Sequence, residues 1–100
     1  MGAQLNIFDS MQGNLLILLK EKQAQLSRLN RSLKSAQQEL NSYDPDDYED
    51  RREINACNQQ IRDLEQQIKQ TESEITNLTN QISQCTKLYQ EFNKPKQRQI

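Results

Sequence analysis

Residues 41–50, NSYDPDDYED, set one proline and five carboxylates in the middle of a chain whose flanks read almost entirely as helix. Asp44, Pro45, Asp46 and Asp47 suit a helix N-terminus. An aspartate cap accepts a hydrogen bond from an otherwise unpaired backbone N–H, and proline in the first turn has no N–H to satisfy. Carboxylates there also oppose the positive end of the helix dipole. Asn41, Ser42 and Tyr43 then form the exit from a preceding helix. The connection is short, residues 43–46, so the helices it joins must lie antiparallel.

Downstream of the turn the pattern is regular. With Ile54 at heptad position a, the a sites are Ile54, Ile61, Ile68, Ile75, Ile82 and Tyr89, and the d sites are Cys57, Leu64, Thr71, Leu78, Cys85 and Phe92. The sites between them are almost wholly polar, which marks a narrow coiled-coil seam rather than the broad apolar face of a helix on a globule. Upstream, Leu19, Leu26, Leu33 and Leu40 fall at a and Leu29, Ala36 and Tyr43 at d, with Lys22 as a charged intruder. Leu5, Phe8 and Leu15 keep the phase, and Gln12 breaks it. Folding the chain at Pro45 brings the two seams together in a register where facing residue numbers total about 94 to 97. Basic residues between Lys20 and Lys34 then lie opposite Asp63, Glu65, Glu72 and Glu74, which favours this orientation.

The expected fold is all-α: a single domain formed by a long antiparallel two-helix coiled-coil hairpin. Helix 1 spans about residues 9–42 and helix 2 about residues 45–93. Asp9, Ser10 and Asn14 around Gly13 are possible caps, so a break is expected between residues 9 and 15, with residues 1–8 as a separate arm. Pro95 ends the second helix and leaves residues 94–100 as a flexible tail. Tyr43 and Tyr48 are expected to pack across the turn.

Composition limits what such a hairpin can do. The chain has 100 residues, a hydrophobic fraction of 33% and a net charge of −1, too little apolar material for a globular core and no global field for nucleic acid or anionic lipid. It has no histidine, which removes the commonest general base and metal ligand, and no glycine-rich phosphate loop. Catalysis and cofactors are therefore not expected. Asp44 and Asp46 match the first spacing of a calcium loop, but Glu49 stands where its glycine belongs and Asn55 where its bidentate glutamate belongs, so no metal is expected either. Cys57 and Cys85 read as reduced, buried thiols of a cytoplasmic protein, with a symmetric interchain disulfide as the alternative. The longest apolar run, Leu15 to Leu19, is too short to span a membrane, and without a flanking cluster of Lys or Arg it does not suit a membrane surface. Arg28, Arg31 and Lys34 share an exposed face, too sparsely charged for nucleic acid.

Protein contacts remain. Two helices share one contact line, which leaves their stability marginal, and Met11, Leu16, Ile17 and Leu18 add apolar side chains outside the seam. The candidate partner-binding residues are Phe8, Met11, Leu15, Leu16, Ile17, Leu18, Tyr89 and Phe92, all at the terminal end. A homodimer forming a four-helix bundle, or a docked helix of another protein, would cover them. A second contact is offered by Asp46, Asp47, Glu49 and Asp50. The reading is a non-enzymatic interaction module acting as adaptor, assembly factor or small structural subunit. The alternative is a small regulatory or inhibitory protein that blocks an enzyme or a nucleic-acid-binding partner. In architecture the hairpin is similar to those of prefoldin-like chaperones and secretion-needle subunits, without sharing a motif with either.

Overall fold

The computed structural model describes residues 2–92, with side chains from residue 9 to residue 91. Helix α1 runs Gly2–Asn41 and helix α2 runs Arg51–Phe92, joined by a turn whose last part is a short 3-10 segment, Tyr48–Asp50. The helices are about 60 Å long at 1.5 Å per residue. They lie against each other as an antiparallel hairpin with no strand among the described residues.

The register follows the seam. Lys22, the charged intruder, places its Nζ 3.3 Å from the Glu74 carboxylate. Gln12, where the phase breaks, donates from its Nε2 to the Thr86 hydroxyl at 2.6 Å. Both polar interruptions of the α1 seam are thus met by polar partners on α2. The Lys22 pair falls within the expected register, and the Gln12 pair one residue beyond it. Asp63 and Arg62 bond instead to Gln59 on their own helix.

Burial is set by residue size. Among the described residues Ala36, Cys57, Thr71 and Cys85 are the buried ones, all at d positions and all small, whereas the described leucines and isoleucines of the seam are only half-buried. A two-helix contact can enclose a short side chain at its centre, but it leaves one flank of a long one open to water. The three small sites of α2 recur every two heptads, with Leu64 and Leu78 between them.

Three expectations are corrected. There is no arm over residues 1–8 and no break near Gly13, because α1 is helical from Gly2. A helical glycine costs about 1 kcal/mol relative to alanine, which the seam contacts on its C-terminal side and the Gln12–Thr86 bond outweigh. Helix 2 does not begin at Pro45. Asp44 accepts from the Asp46 N–H, making a first turn, and Asp47 caps the 3-10 segment by accepting from the Glu49 N–H. A helix reaching back to Pro45 would present Asp47 and Asp50 at a and d beyond the end of α1, with nothing apolar to bury. Tyr48 does not meet Tyr43: it is 81% exposed, with the Arg51 guanidinium 5.6 Å from its ring centre. The expected tail and the end of helix 2 past residue 92 lie outside the described residues.

Candidate functional site

The turn uses its own acids. Asp44 and Asp47 each accept a backbone N–H two residues on, and an Asp50 carboxylate oxygen closes the loop by accepting from the Asp44 N–H at 2.9 Å. Of the four candidate contact residues, Asp47 and Asp50 therefore hold the loop; Asp46, Asp47 and Glu49 are exposed and Asp50 is half-buried. Where α1 leaves the seam, the Glu39 carboxylate accepts from the Tyr43 hydroxyl at 3.2 Å. The same carboxylate acts electrostatically on the Cys57 thiol across the seam. Burial pushes the Cys57 thiol above its ordinary range, and the Glu39 carboxylate adds to the effect by hydrogen bond and by charge. Tyr43 is raised the same way, by burial first and then by Glu39. A thiol held in its neutral form is a poor nucleophile and a poor metal ligand. Cys57 and Cys85 form no disulfide, and no cluster of metal-ligating side chains occurs among the described residues.

The opposite end differs in kind. Among the described side chains, Met11, Leu16, Ile17, Leu18, Tyr48 and Leu88 are the large apolar or aromatic ones left exposed. All but Tyr48 lie at the terminal end, with exposures from 44% at Leu18 to 58% at Ile17. Leu15 and Tyr89 are half-buried in the seam beside them. The side chains of Phe8 and Phe92 lie outside the described residues. Leu88 is an addition to the sequence-derived set. It sits at g, next to seam residue Tyr89, and its signal was the same as that of Met11 and Leu18, an apolar residue one place off the repeat.

These side chains fall on two flanks. Met11, Leu15, Cys85 and Leu88, edged by Gln81 and Gln84, line an open groove of about 400 Å3 between the helices. Leu16 and Ile17 point away from that groove, on the other flank of α1, since they stand at e and f whereas Met11 and Leu18 stand at g. Part of this end is also devoid of charge. No ionisable group other than a thiol occurs from Ser10 to Leu19 on α1 or from Ile75 to Thr86 on α2, and the register brings these two segments side by side. The result is an uncharged band around both helices, carrying exposed apolar side chains on both flanks. No described helix is long and apolar enough to cross a membrane. The chain matches no family model, no curated protein and no solved structure.

Proposed function

We propose that this protein is a non-enzymatic coiled-coil interaction module, an adaptor, assembly factor or small structural subunit, that binds protein through the uncharged band at its terminal end. One observation carries the reading: of the six large hydrophobic side chains exposed among the described residues, four, Met11, Leu16, Ile17 and Leu18, lie in this band and a fifth, Leu88, at its edge. Apolar clusters of this kind on helices are recognised by other helices, which bury them at i, i+3 and i+4 spacing. The alternative contact through the acidic turn has less support, since Asp44, Asp47 and Asp50 already accept backbone N–H groups of the turn itself. We place it in the cytoplasm on the reading of Cys57 and Cys85 as reduced, buried thiols.

The test is a photo-crosslinking amino acid placed at Ile17, at Gln66 on the polar face of α2, or at Asp46, in cells that make the protein. Ile17 is expected to capture a polypeptide, and the other two sites to capture none. Capture at Asp46 alone, or at no site, overturns the reading.

A further inference from the structure

Gly13 has no role inside the hairpin. Its backbone is ordinary helix without a positive φ, and a Cβ added there would meet nothing within 4 Å. Alanine would fit and would stabilise the helix, so the missing side chain is unexplained within one molecule. Its neighbours on the same face supply the reason. Asp9, Gly13, Leu16 and Lys20 lie within an arc of about 60° on α1 at 100° per residue, away from the seam. Asp9, Leu16 and Lys20 are all exposed.

This stripe is complementary to its own reversal. Asp9 and Lys20 are equidistant from a point between Asn14 and Leu15, and so are Gly13 and Leu16. Two such stripes laid antiparallel place acid against base at both ends and a leucine knob over a glycine hollow at both central positions. Laid parallel and in register, they would set Asp9 on Asp9, Lys20 on Lys20 and Leu16 on Leu16. The parallel arrangement would also bring the two acidic turns together, whereas the antiparallel one holds them at opposite ends of the assembly.

Resting on the interaction-module reading, we infer that the occupant of this face is a second copy of the same chain. It docks antiparallel, with the twofold axis crossing α1 between Asn14 and Leu15 and with Leu16 of each copy seated over Gly13 of the other. The contact is isologous, so each residue serves twice and the assembly closes as a dimer.

The full chain is tested by sedimentation equilibrium. The wild type is expected to be a dimer at micromolar concentration. Gly13→Leu fills the hollow on both sides and should weaken the dimer by more than about a hundredfold, while its helical circular dichroism and melting temperature under dissociating conditions hold or rise. Gly13→Leu combined with Leu16→Gly exchanges knob and hollow and should restore the dimer. Asp9→Lys or Lys20→Asp alone should weaken it about tenfold, and the two together should recover most of that loss. A wild type that stays monomeric at high concentration overturns the dimer, as does a Gly13→Leu dimer of undiminished affinity or a charge swap that shows no recovery. If the chain alone is monomeric but Ile17 captures another polypeptide, the second copy is wrong and the interaction module stands. If Ile17 captures nothing, both fall.

Discussion

Replacing Lys22 with leucine separates two accounts of the hairpin's stability. Lys22 occupies a d site of the α1 seam, its side chain 29% exposed, and Glu74, 3.3 Å away, is 41% exposed. An ion pair this open to water contributes about 0.2–1 kcal/mol. A leucine of similar burial would gain about 1–2 kcal/mol from the seam, less the part that the lysine stem already contributes by lying along it. Glu74, left alone, is hydrated where it stands. The net expectation is that Lys22→Leu stabilises the hairpin by about 0.5–1 kcal/mol. That corresponds to a rise in Tm of about 2–8 °C for a domain of this size. The assay is urea unfolding followed by far-UV circular dichroism at a concentration low enough to keep the chain monomeric. Glu74→Gln serves as control and is expected to cost no more than the pair itself, about 0.2–1 kcal/mol. A loss of 1 kcal/mol or more in Lys22→Leu would refute the reasoning, because it would mean that the ion pair, and not apolar burial, holds this part of the seam.

Three further outcomes follow from the same geometry. Asp44→Ala and Asp47→Ala each remove a backbone acceptor and should cost about 0.5–2 kcal/mol by thermal melting, whereas Asp46→Asn and Glu49→Gln should stay within about 0.5 kcal/mol. Thr71→Leu puts a long side chain at a site only 2% exposed and should cost about 1–3 kcal/mol in urea. Cys57 and Tyr43 both hold their protons more tightly when folded than when unfolded. As pH rises above 9 and then 10, the unfolded chain releases these protons before the folded one does, so stability falls with rising pH across that window. The melting temperature of Cys57→Ala should fall less steeply over the lower part of it.

The seam was legible in the sequence because its physics is periodic. Ile54 through Tyr89 repeat every seven residues, so a turn anywhere near Pro45 brings them to the leucines of α1 in one register. The start of α2 was not legible from local chemistry, since Asp44 and Asp47 are equally good caps. The choice was made at long range, where α1 ends at Asn41 and removes any partner for a helix begun earlier. Gly13 misled for the same reason. Asp9, Ser10 and Asn14 act as caps only where a helix stops, and the contact with α2 kept this one going. The apolar residues of the terminal end were readable as departures from the repeat. The uncharged band they share became visible only once the register set residues 10–19 beside residues 75–86.

The alternation of small and large side chains along α2 works as a vernier. Sliding one helix past the other by seven residues would set Leu26 against Leu78 and Leu40 against Leu64, crowding layers that are now relieved by Thr71 and Cys57. A slide of fourteen residues would meet no such crowding, and the longer loop it needs would cost only about 1 kcal/mol in closure entropy. What forbids that second resting place is the loss of two heptads of seam contact, where each half-buried leucine or isoleucine is worth about 1–2 kcal/mol, reinforced by the turn, where Asp50 closes on Asp44 and Glu39 accepts from Tyr43. The stretch from Glu39 to Asp50 thus acts as a latch on a register that the seam already prefers.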